Sequence, residues 1–164
     1  MVDIELDQSD EWGEDQDWQK LAERAVAEAF KVSSHGDLAT APFTLSLSIN
    51  LSTNDEVQAL NAQWRDKDKP TNVLSFPMLE PDELDALANT DDGEVLLGDM
   101  ILAHGVCAAE AAKKGIPLPD HVTHLIIHGT LHLLGLDHID DAQAEHMEAL
   151  EVKALASMGL HNPY

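Results

Sequence analysis

The chain has 164 residues, 44% of them hydrophobic, which is the length of a single domain with enough apolar material for one core. A formal charge of −22 with only 9 Lys and Arg excludes a broadly basic nucleic-acid-binding surface, and one cysteine, Cys107, excludes an intramolecular disulfide framework and suits a reducing compartment. No stretch approaches membrane length, and the acidic opening residues lack the positive start and apolar run of a secretory signal, so a cytoplasmic protein without a membrane partner is expected.

Residues 1–15 carry much acid and little periodic apolar content, and are expected to form a mobile arm ahead of one folded domain at 16–164. Trp18, Leu21, Ala25, Ala29 and Val32 then recur at helical spacing and predict a first helix that stops near 33–36. Strict alternation over 43–49 predicts a half-buried strand. Thr53 or Asn54 is placed to cap a helix running through Val57, Leu60 and Trp64, which puts Trp64 in the core. Short strands follow at 72–76 and 95–103, with Gly98 a candidate bulge, and an acidic loop at 80–94 lies between them.

A helix from 105 to 114 is ended by Gly115 and Pro117. Pro119 or Asp120 opens the next, which reaches Leu134 and is apolar at Leu125, Ile126, Ile127, Leu131 and Leu133, so it is expected to be largely buried. The last helix starts at Asp140 with Gln143 placed for a capping box, and runs through Met147, Leu150, Ala154 and Met158. Many helices and few short strands predict an α+β fold: a small mixed sheet of three or four strands, helices covering it, and the helix of 120–134 at the centre.

That central helix carries HGTLHLLGLDH at 128–138. Residues four apart share a helical face, so His128 and His132 can present imidazoles to one point. Gly135 suits the left-handed turn that ends a helix and brings His138 back toward the pair. With 9 histidines in the chain, three at these fixed offsets arise by chance in roughly 3% of such sequences, which favours a metal site on His128, His132 and His138. Three neutral imidazoles with one position open are the pattern of a catalytic zinc, and one Zn2+ is expected. His124 extends the column to about 12 Å, too long for one ion to span, and is expected to pack behind the ligands. His104, His121, His146 and His161 are expected to be ordinary packed or exposed histidines.

The same spacing occurs in metzincin peptidases, HExxHxxGxxH, whose general base is the Glu after the first His. Here that position is Gly129, which cannot take a proton. HGTLHLLGLDH instead resembles the YbeY family of bacterial endoribonucleases. Two further blocks are similar to that family, NAQWRDKDKPTNVLSFP at 61–77 and LGDMIL at 97–102, and the likeness covers roughly residues 40–158. It implies a zinc-dependent endoribonuclease that cuts single-stranded RNA and serves small-subunit ribosomal RNA maturation and ribosome quality control, with ribosomal RNA and the ribosome or its proteins as partners. Two alternatives remain: a metallopeptidase, and a ribosome assembly factor whose zinc is structural.

The expected catalytic set is Arg65, His128 and Asp137. Arg65 stands with Lys67 and Lys69 in a concentrated positive segment, and its guanidinium can pair with two phosphate oxygens, although the dipole of a helix end would also favour an arginine there. The resemblance favours the phosphate role. Asp137 either orients His138 or moves a proton. Asn72 and Ser75 are candidates for the cleft wall, Trp64 for base stacking if it is not core, Met147 and Met158 for the core, and Cys107 for a buried, inert thiol.

Overall fold

The computed structural model describes residues 1–87 and 93–164. A four-stranded sheet runs in the order β1-β2-β4-β3, with β1 (Val2–Gln8), β2 (Thr44–Ser52), β3 (Val73–Pro77) and β4 (Glu94–Ala103). The first three neighbours in that order are parallel, and β3 closes the sheet antiparallel to β4. The fold is α+β with a mixed sheet, as expected. β2 and β4 fall out of step between Ser46 and Leu47, which face Leu96 and Gly98; Leu97 is the extra residue, so the bulge lies beside Gly98.

Side chains alternate across the strands, so the sheet has two unlike faces. One presents Leu45, Leu47, Ile49 and Leu51 of β2 with Met100 and Leu102 of β4, all buried. On it pack α1 (Trp18–Val32) and α5 (Leu118–Leu133), and α6 (Asp141–Ser157) packs on those two helices, giving one continuous core. The other face is covered at one end only, where α2 (Asn54–Arg65) and Val106 of α4 (His104–Lys114) close a small cluster of Val57, Leu74, Ile101 and Ala103.

The caps follow the sequence closely. Thr53 accepts from Glu56 N to start α2. Asp140 accepts from Gln143 N to start α6, but the Gln143 amide oxygen accepts from Ile139 N, one residue before the cap, so the expected reciprocal box is displaced by one position. Gly115 ends α4 in the left-handed conformation. Part of the expected acidic loop is a short helix, α3 (Pro81–Ala86), begun by a capping box between Glu80 and Glu83; residues 88–92 of that loop lie outside the described residues.

Two expectations are corrected. The opening residues are not a detached arm: Val2, Ile4 and Leu6 point toward the core from an edge strand that pairs along its length with β2, while Asp3, Glu5 and Asp7 take the opposite face. Period two was present there, overlaid by charge. Trp64 is not core: it is 65% exposed, because the helix overhangs the partly covered face and only its first turns reach the small cluster. Met147 is buried as expected, Met158 is only partly so, and Cys107 is fully buried, with its thiol pushed up to about 12 by burial and by the Glu110 charge.

Candidate metal centre

The helix α5 runs beside β3 and β4 with its C-terminal half against the sheet. At Gly129 a Cβ would sit 2.7 Å from Met100 Sδ, so a larger residue there would displace the end of the buried Met100 side chain. His128 and His132 flank that contact, and their rings stand 4.7 Å apart, nearly perpendicular. The helix stops at Leu134, and Gly135, at φ 95°, turns the chain in a conformation that L residues rarely adopt. His138 then returns to lie 5.6 Å from the His128 ring and 4.9 Å from the His132 ring.

One nitrogen from each of the three histidines lies within 4.8 Å of the others, and these three are the donors that converge among the described residues. A tetrahedral zinc with bonds of 2.0–2.1 Å needs nitrogens about 3.4 Å apart, which modest ring rotations supply. The tautomers are decided by what lies behind the rings. His128 Nδ1 is 3.0 Å from Glu151 Oε2, and His132 Nδ1 is 3.0 Å from the Leu136 carbonyl. A carboxylate and a carbonyl only accept, so both Nδ1 atoms donate and both Nε2 lone pairs face the trio. The residues therefore fit a divalent ion.

Glu151 is the residue that sequence reasoning missed. It is fully buried, and one of its oxygens accepts from His124 Nε2 and, at 2.6 Å, from the Tyr164 hydroxyl, while the other serves His128. Burial pushes its carboxyl up, but the bonds from His124, His128 and Tyr164 outweigh that and hold it at about 2. A signal existed: position 151 falls inside the apolar stripe of Met147, Leu150 and Ala154, where an unpaired charge is not tolerated. His124 packs behind the ligands as expected, acting on His128 through this glutamate.

Burial is the main reason that His132 stays neutral, its pKa lowered to about 4, with the neighbouring His128 and His138 adding to the effect. His138 is exposed and opens the trio to solvent. Asp137 Oδ1 accepts from His138 N at 2.8 Å but stands 3.9 Å from His138 Nδ1, so it shapes the loop without hydrogen bonding the ring. Asn72 is tied to Glu110 through its amide and to Val73 N through its oxygen, and it lines a cavity whose wall includes His128. Ser75 is half-buried on β3 opposite Met100, on the face that carries α5. Arg65 is exposed at the last position of α2, followed by Asp66 in a left-handed conformation, and is not among the groups that converge on the histidines.

Among the described residues, no helix is long and apolar enough to cross a membrane. The fold resembles that of a Thermotoga maritima protein, TM1509, solved in solution, with a TM-score of 0.53 at 22% identity over 97% of this chain and 92% of the other. Two proteins named Endoribonuclease YbeY are far more similar. That of Rhizorhabdus wittichii is 53% identical over 164 residues, covering 100% of this chain and 97% of its own, and that of Zymomonas mobilis is 52% identical over 164 residues, covering 100% and 93%. The family model described as Endoribonuclease YbeY matches residues 3–159, β1 included, and the chain belongs to that family.

Proposed function

We propose that the protein is a metal-dependent endoribonuclease that cuts single-stranded RNA in ribosomal RNA maturation and ribosome quality control, with one zinc ion held by His128, His132 and His138. The observation that carries this reading is the trio itself: two ring nitrogens aimed by buried acceptors and a third ligand left open to solvent. An ion bound there supplies Lewis acidity and lowers the pKa of its water.

The protein's own groups divide the remaining work. Glu151 and the Leu136 carbonyl hold the rings in the metal-binding tautomer. The Arg65 guanidinium meets the phosphate oxygens as negative charge builds on them. Asp137 is the exposed carboxylate beside His138 and is the candidate for receiving a proton. Ribosomal RNA, with the ribosome or its proteins as carrier, is the natural partner for such an activity in a cytoplasmic protein.

The peptidase reading finds no support. Gly129, where the base of a metzincin would stand, has no carboxylate and lies against the Met100 side chain. A purely structural zinc needs four closed ligands, whereas three converge among the described residues. The decisive experiment is metal analysis of the purified protein followed by digestion of a single-stranded RNA with and without chelator. One ion per chain and chelator-sensitive internal cleavage are expected; metal-free protein of full activity would end the proposal.

A further inference from the structure

Beside the trio lies a cavity of about 550 Å³ that shares His128 with it. The volume suits one small ligand, within the roughly 300–1,000 Å³ of ordinary binding sites. Lys113 and Lys114, in the last turn of α4, line it, although the chain has only 9 Lys and Arg against 31 Asp and Glu. Lys114 Nζ is steadied by the Pro163 carbonyl at 3.4 Å. His121, 3% exposed, is held in the wall by Glu110 through Nε2, and its Nδ1 is buried without a hydrogen-bond partner.

Beside Lys114 the lining is of another kind. Tyr164 is 60% exposed, yet its hydroxyl donates to the buried Glu151, so an open aromatic face is fixed in place beside Leu125. Two cations, a pinned aromatic ring and an immediate border on the histidine trio, with the lining carboxylate of Glu110 already bonded to Asn72 and His121, describe a receptor for one anionic, flat group next to the reacting bond. Lys69 lies three residues before Asn72, at most about 11 Å along the chain from this wall.

We propose that this cavity binds the nucleotide that flanks the scissile bond of a single-stranded RNA, with Lys113 and Lys114 on its phosphates and its base against the Tyr164 ring. The proposal rests on the endoribonuclease reading above and extends it to a subsite. Because phosphate contacts release counterions and stacking does not, the two halves separate experimentally.

The test is fluorescence anisotropy of a labelled, cleavage-resistant 2′-O-methyl oligonucleotide titrated with the metal-loaded protein over a series of KCl concentrations. The Lys113→Ala/Lys114→Ala variant should bind about tenfold more weakly, and its slope of log K against log salt should fall by about 1.4, or roughly 0.7 per phosphate contact on a single strand. Removing two cations elsewhere, with Lys20→Ala/Lys31→Ala, should change affinity less than twofold. Tyr164→Ala should weaken binding about tenfold with the salt slope unchanged, whereas Tyr164→Phe, which keeps the ring but loses its hydrogen bond to Glu151, should weaken it only about twofold. Equal slopes for the two double-lysine variants, or equal losses for the two Tyr164 variants, would overturn the subsite while the parent protein still binds and cuts RNA. A parent protein that neither binds the oligonucleotide nor cuts RNA would instead overturn the endoribonuclease reading, and the subsite with it.

Discussion

The histidine corner and the positive corner at 65–69 are built in opposite ways. Behind His128 and His132 stand a buried carboxylate and a backbone carbonyl that decide which nitrogen faces outward. Arg65 has no such support: it ends a helix, is exposed, and is followed by a residue in a left-handed conformation. A metal ligand must be aimed before the ion arrives, because a misplaced imidazole costs affinity directly. A phosphate-binding arginine can be ordered by its ligand, since its charge is permanent and its reach long. One corner is held from behind by its partners, and the other, on the function proposed above, is ordered by its substrate.

The strongest way to break this comparison is to remove a ligand. His132→Ala should lose stoichiometric metal and with it cleavage, and one ion per chain retained by metal analysis would refute the trio. Chelation of the parent protein should lower its melting temperature by on the order of 10 °C, as expected when an ion present at about a thousand times its Kd is withdrawn from a protein of this size. An unchanged melting curve would mean that the folded chain holds no ion in preference to the unfolded one.

Next in size is Arg65→Ala, which should cut RNA cleavage about 10²-fold, the usual loss for one transition-state donor, while metal content and melting temperature stay at parent values. Arg65→Lys should restore activity only in part, since a point charge cannot reproduce the paired donors. A fall in stability instead would assign the arginine to the fold. Glu151→Gln sharpens the rigid side: it turns an acceptor toward the rings into a mixed group, and metal affinity should fall by about 10–100-fold in competition with a fluorescent chelator. Unaltered affinity would show that the rings are aimed by packing alone.

The smallest effect is a pH dependence of the metal-free protein. His132 titrates near 4 when folded, against about 6.5 when unfolded, chiefly because it is buried. As pH falls from 6.5 toward 4 the unfolded chain gains a proton that the folded one refuses, so stability should decline across that window. Glu151, held at about 2, keeps its contribution until the pH drops below the ordinary carboxylate range of about 4.3 and then loses it toward 2. Denaturant titrations at pH 7.5, 5.5, 4 and 2.5 check the order of the two losses; a flat profile between 7.5 and 5.5 would contradict the first.

Local features of the sequence carried most of this structure. Gly135 and the offsets of four and six determine the trio because helix geometry translates spacing directly into direction. Thr53, Asp140 and Gly115 mark helix ends for the same reason. What spacing does not encode is the partner across the fold. Glu151 reaches His128 from a different helix, 23 residues on, and no periodicity announces that pairing. Trp64 follows the helical stripe of Val57 and Leu60, yet the sheet beneath it runs out. The cavity at Lys113 and Lys114 likewise exists only once α4 lies beside α5.

The position of β1 has an electrical consequence. It is the sheet edge opposite β3, three strand spacings or about 14 Å away, and Asp3, Glu5 and Asp7 sit there on the face turned from the histidines. The screening length at physiological salt is about 8 Å, so an approaching polyanion near β3 and α4 feels little of those carboxylates. The net charge of −22 is therefore a poor guide to what the protein can hold. The sheet keeps these three charges, which deter other chains from pairing with its open edge, more than one screening length from the side where the cations gather.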